Sequence, residues 1–200
     1  MNRRHYELVV IAASAGGVQV LQHLLSGLPH EFPLPILVVL HRSTTMPNLL
    51  PRVLGRHTAL KVKTANEGEA MTAGTLYLAP PHEHLVARSD QSLALTDGRK
   101  IRHVRSSANP LFASAAQVFG KGVIAEVLTG GDRDATDGVQ TVKRHGGMVI
   151  AQDKASSELF GMHSAIETGC VDAILPLSQM APELLRLSKL PAEDLIHNWR

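Results

Sequence analysis

Short runs of apolar, mostly β-branched residues recur along the chain: Leu8-Val9-Val10-Ile11-Ala12, Ile36-Leu37-Val38-Val39-Leu40, Val123-Ile124-Ala125-Glu126-Val127-Leu128 and Met148-Val149-Ile150-Ala151, the last strand ending on Gln152. Runs this short, without polar alternation, are the pattern of strands buried on both faces. Between them the apolar spacing changes to three and four. Val18, Leu21, Leu24, Leu25 and Leu28 form one such stripe, and Leu111, Phe112, Ala115, Ala116 and Phe119 another. That period predicts amphipathic helices. Further helices are expected over about 47–54, 136–144, 164–168 and 179–187, and short strands over 60–64, 75–79 and 173–175. Segments 84–88 and 92–96 read as a hairpin around Ser89-Asp90-Gln91. Gly146-Gly147 closes one helix. Glu126 is the one charged residue in an otherwise apolar strand, and the pattern gives it no role.

Strands alternating with helices predict an α/β fold: a doubly wound, mainly parallel, Rossmann-like sheet with helices on both faces, plus the small antiparallel hairpin. No linker, repeat or low-complexity segment divides the chain, so one domain over 1–200 is expected, with a core over 7–187 and a tail over 188–200. Composition narrows the function classes. The single cysteine, Cys170, excludes an intrachain disulfide and a thiol metal cluster, and a reducing cytoplasm is the expected location. Scattered basic residues, a net charge of +2 and 4% aromatics leave no nucleic-acid footprint. No apolar run approaches the roughly 20 residues that cross a bilayer.

In a sheet of this kind, ligands sit beyond the carboxyl ends of the strands. Three runs end there on reactive residue types. The first ends on Ser14-Ala15-Gly16-Gly17, the second on His41-Arg42-Ser43, and the third on Thr129-Gly130-Gly131-Asp132-Arg133-Asp134. Ser14 alone has three readings: a nucleophile beside helix amides that stabilise an oxyanion, part of a phosphate cradle, or a helix N-cap beside turn glycines. The G-x-G-x-x-G fingerprint, the P-loop lysine and the G-x-S-x-G elbow are all absent. Serine, histidine and aspartate at three strand ends fit nucleophile, general base and orienting carboxylate, because a serine hydroxyl needs a base near neutral pKa. The acidic residues Asp132, Asp134 and Asp137 also suit a helix start for dipole reasons alone.

The blocks VVIAASAGG, LVVLHRS, LYLAPPHEH, LTGGDRDATDG, GGMVIAQDKASSELFGM and SAIETGCVDAILPL together resemble the catalytic domain of chemotaxis protein-glutamate methylesterases, in order and spacing, from about Leu8 to Leu187. The resemblance implies Ser14 as nucleophile in an A-S-[TA]-G-G turn and His41 as base, with Leu40 where the family usually has glutamine. Matching Leu128-Thr129-Gly130 without a gap selects Asp134 as the acid. Backbone N–H groups of Ala15 and Gly131 fall at the oxyanion positions. It also implies a cytoplasmic hydrolase without metal or cofactor. Its substrate would be glutamate methyl esters on methyl-accepting chemoreceptors, with methanol released and glutamine deamidated in a second activity. Departures from the pattern are Asp132-Arg133 before Asp134, Ala135 for the following glycine, Asp137 at a usually small position, and His163 for the proline after Gly161-Met162. Arg133 would pair with Asp134 or bind an acidic group. Family members often carry an N-terminal receiver domain; here the first strand begins at Leu8. The expectation is a stand-alone hydrolase under a separate regulatory partner, or an excised domain. A degenerate, inactive scaffold and a phosphate- or nucleotide-binding domain are the competing readings.

Overall fold

The computed structural model describes residues 5–41, 49–97, 106–129, 134–157 and 163–189. Seven strands form one sheet: β1 (Leu8–Ala13), β2 (Ile36–Leu40), β3 (Lys61–Thr64), β4 (Thr75–Leu78), β7 (Val123–Val127), β8 (Met148–Gln152) and β9 (Ala173–Leu175). Their spatial order is β3-β4-β2-β1-β7-β8-β9, and every pairing is parallel. The remaining strands, β5 (His84–Ala87) and β6 (Leu93–Thr96), make the expected antiparallel hairpin. The helices are α1 (Gly17–Ser26), α2 (Leu50–Gly55), α3 (Ala108–Phe119), α4 (Thr136–Arg144), α5 (His163–Glu167) and α6 (Leu177–Lys189).

The apolar runs became the central strands because alternate residues face opposite layers and both layers are covered. Val9, Ile11, Ile36, Val38, Ile124 and Ile150 join Leu21, Leu24 and Leu25 of α1 and Leu184 of α6 in one core cluster. Val10, Leu37, Val39, Ala125 and Val149 join Leu111, Phe112 and Ala115 of α3 and Val139 of α4 in the other. Glu126 lies on the α1/α6 side with Ile124 and Leu128, following that alternation. It is 0% exposed, and neither carboxyl oxygen has a hydrogen-bond partner among the described residues.

Several element limits differ from expectation by one to three residues, those of α2 and α5 among them. Helix α1 stops at Ser26 rather than 28, with Gly27 as its C-cap. Helix α3 starts at Ala108, because Ser107 caps it by accepting from Asn109 N. Helix α6 begins at Leu177, passes through Pro182, and runs to Lys189, past the expected end of the core. Residues 47 and 48 of the expected second helix, and 190–200 of the expected tail, lie outside the described residues.

The chain order places a switch between β1 and β7: the sheet grows one way through β2, β4 and β3, and the other way through β7, β8 and β9. The carboxyl ends beside such a switch open into a crevice. Parallel register brings the three reactive termini level there, with Ala13 opposite Leu40 and Ala12 opposite Val127.

Candidate active site

The ladder continues one step past the strands. His41 N donates to Ala13 O (3.0 Å), Leu128 N to Ala12 O (2.8 Å) and Ser14 N to Thr129 O (2.9 Å). The residues after β1, β2 and β7 are thereby held side by side. Ser14 is not the cap of α1. The cap is Gly16, in the left-handed region at φ 76, with no side-chain cap bond, and Gly17 N donates back to Ser14 O at 2.8 Å. Both glycines are required sterically. Gly16 takes a conformation other residues avoid, and a Cβ on Gly17 would lie 2.9 Å from Ala13 Cβ, which cannot swing away, as well as 2.5 Å from Leu40 Cδ1.

His41 and Asp134 meet directly, Nε2 to Oδ2 at 2.8 Å, with side chains 13% and 6% exposed. Asp134 is turned inward. Its Oδ2 also accepts from Ala108 N (2.5 Å), and Oδ1 accepts from Ser107 Oγ (2.6 Å). Burial pushes this carboxyl toward protonation, but the bonds from His41, Ser107 and Ala108 outweigh it and hold it below the ordinary carboxylate range. Asp134 is therefore the ionised partner of His41 at neutral pH. Ser14, His41 and Asp134 line one cleft, together with Ala108 of α3 and Thr129.

The segment after Asp134 explains one departure from the family pattern. Ala135 has φ 77 and is fully buried. An L-residue there costs about 1–2 kcal/mol, which glycine avoids, while the buried methyl returns up to about 0.8 kcal/mol. Ala135→Gly is therefore expected to raise stability by up to about 1 kcal/mol, a rise in Tm of about 2–4 °C for a chain of this size. Thermal unfolding followed by circular dichroism checks it; a lower Tm would contradict the strain.

Other polar groups brace the site. Thr129 N donates to Gln152 Oε1 (3.1 Å), and Thr129 Oγ1 donates to Ala15 O (3.3 Å). Gln152 Nε2 in turn donates to Ser156 O (2.7 Å). Asn109 Oδ1 accepts from Gly138 N (2.7 Å) and ties α3 to α4. Ser107, Ala108, Thr129 and Gln152 are residues that the sequence reading passed over. For Ser107 a signal existed, since serine before an apolar-periodic segment marks a helix start. Ala15 follows Ser14 and is exposed at the surface. Gly131, Asp132 and Arg133 lie outside the described residues. Among the described residues, no group of three or more His, Cys, Asp or Glu is arranged to hold a metal ion. None of the described helices is long and apolar enough to cross a membrane.

Comparison with known proteins bears on the fold and the family. The family model described as CheB methylesterase matches residues 9–184. A Leptospira interrogans protein provisionally named protein-glutamate methylesterase/protein-glutamine glutaminase is 33% identical, over 92% of this chain and 96% of its own length. The protein-glutamate methylesterase FrzG of Myxococcus xanthus is 38% identical over 90% of this chain, which spans only 54% of that protein. The crystal structure of the Thermotoga maritima CheB methylesterase catalytic domain superposes with a TM-score of 0.87, at 36% identity, covering 91% of this chain and 98% of that one. With an all-parallel seven-stranded sheet, a cleft at its switch point and a family match over nearly its whole length, the chain belongs to the CheB methylesterase family.

Proposed function

We propose that Ser14, His41 and Asp134 form the nucleophile, base and orienting acid of a protein-glutamate methylesterase. Its substrates would be γ-methyl esters of glutamate on the cytoplasmic helices of chemoreceptors. The observation that carries the reading is the His41–Asp134 bond of 2.8 Å in the cleft that Ser14 also lines. Because Nε2 faces Asp134, the proton of Ser14 passes to Nδ1 of His41. Ser14 Oγ then bonds to the ester carbonyl carbon, and the carbonyl electron pair moves onto oxygen. The N–H groups of Ala15 and Gly131 hold that oxyanion, each such donor being worth about 3 kcal/mol in the transition state. Collapse expels methoxide, which takes the proton from His41 and leaves as methanol. Water, deprotonated by His41, cleaves the glutamyl-enzyme to a glutamate carboxylic acid and free Ser14. A glutamine amide follows the same path with ammonia as leaving group. The names of several relatives pair methylesterase with glutaminase activity, which supports the second reaction. A cytoplasmic location fits this reading.

A fluorophosphonate probe tests it. The expected result is one phosphonyl group per chain, located on Ser14 by peptide mapping, together with loss of methanol release from methylated receptor fragments. Labelling elsewhere, or equal methanol release by Ser14→Ala, would remove Ser14 from the mechanism.

A further inference from the structure

A carboxylate held through one oxygen still swings about that contact. In Asp134 the single oxygen Oδ2 carries both the His41 bond and the Ala108 N–H bond. The second fixed point is Ser107 Oγ on Oδ1, at 2.6 Å, and two points set the plane of the carboxylate. Ser107 is itself locked. Its Oγ also accepts from Asn109 N at 3.3 Å, so its hydrogen is committed to Asp134. Its N–H donates to Nδ1 of His84 at 3.1 Å, which requires His84 to carry its own ring hydrogen on Nε2. Ser107 is 0% and His84 2% exposed, so water does not compete for these bonds. His84 belongs to β5 of the hairpin outside the main sheet, and Ala87 N of that strand donates to Ser114 Oγ of α3 (3.0 Å), clamping hairpin to helix.

We propose that Ser107 is the positioning residue that aims Asp134 at His41, and that His84 anchors Ser107 from the hairpin; the inference rests on the triad reading above. The consequence is that Ser107 and His84, neither of which lines the cleft, govern how well the nucleophile is activated.

The test compares Ser107→Ala, Ser107→Gly and Ser107→Thr with the native protein in fluorophosphonate inactivation, which separates the limiting rate constant from the half-saturating concentration. Alanine and glycine are expected to lower the limiting rate about 10- to 100-fold, the equilibrium worth of a hydrogen bond to a charged group. The half-saturating concentration stays unchanged, and threonine, which keeps the hydroxyl, restores most of the rate. Glycine is informative because it caps a helix nearly as well as serine, so a loss shared by alanine and glycine is not a loss of α3. Near-native limiting rates in both variants, with Asp134→Asn slow, overturn the positioning role and leave the triad standing. A native rate in Asp134→Asn overturns the triad reading itself.

Discussion

Replacing Asp134 with asparagine is expected to slow acylation of Ser14 about a thousandfold, and the hydrogen bonds around it dictate that size. The Ala108 N–H is a fixed donor aimed at Oδ2, the oxygen that also meets His41 Nε2. An asparagine must therefore turn its carbonyl oxygen to that corner and its NH2 toward Ser107. Ser107 Oγ can accept from that NH2, at the cost of its own hydrogen losing its native acceptor, whereas the backbone amide can only donate. His41 then keeps its Nε2–H tautomer and its orientation. For His41, the loss is the negative charge facing the developing imidazolium. At about 4 Å and an effective dielectric near 20 that charge is worth about 4 kcal/mol, or about three decades in rate. Where the amide forces the wrong tautomer, as in the serine proteases, the loss is about 10⁴. Single-turnover fluorophosphonate kinetics measure it. A loss under about tenfold would mean that Asp134 does not serve His41 electrostatically.

The second large effect concerns stability. Glu126 is fully buried with neither oxygen paired among the described residues, and burial, reinforced by the charge of Glu183 on α6, pushes its carboxyl up from 4.5 to about 8. Between those values the folded chain holds this proton and the unfolded chain has released it. Stability therefore falls as pH rises through the window, by about 1.4 kcal/mol per unit. Asp134 acts with the opposite sign: its lowered carboxyl stabilises the fold above the ordinary carboxylate range, and that contribution is lost as pH falls below it. Glu183 itself is paired with Arg186, so the charge facing Glu126 is partly compensated. Glu126→Met has similar volume and no polar atoms. It is expected to be more stable than the native protein by a few kcal/mol near pH 8, and by much less near pH 5. Urea unfolding of both proteins across that range checks the slope. A native midpoint that does not move between about pH 5 and pH 8 would show that Glu126 has a partner.

The sequence made the sheet and two positions of the proposed triad legible for one reason. Val9, Ile11, Val38 and Ile124 sit in strands covered on both faces, so the apolar runs are continuous and their ends stand out. Ser14 and His41 follow those ends directly. Asp134 needed the family pattern, since Asp132 and Asp137 carry the same local signal. Ser107 and His84 were opaque because their roles depend on contacts 27 and 23 residues away along the chain, through a polar stretch that reads only as loop. Ala135 was visible as a departure, but its cost appears only with φ 77. Glu126 was visible as an anomaly, and only its burial, with neither oxygen paired among the described residues, turns the anomaly into a measurable pH slope.

The one-to-one pairing of Ala13 with Leu40 and of Ala12 with Val127 has a practical corollary. Sliding β1 by a single residue would exchange its two faces and carry Ser14 away from His41 in the same movement. Misassembled molecules would thus be silent toward a serine-directed reagent. The burst of covalent labelling in any preparation would then count its natively assembled fraction, an internal standard for every rate measured on a variant.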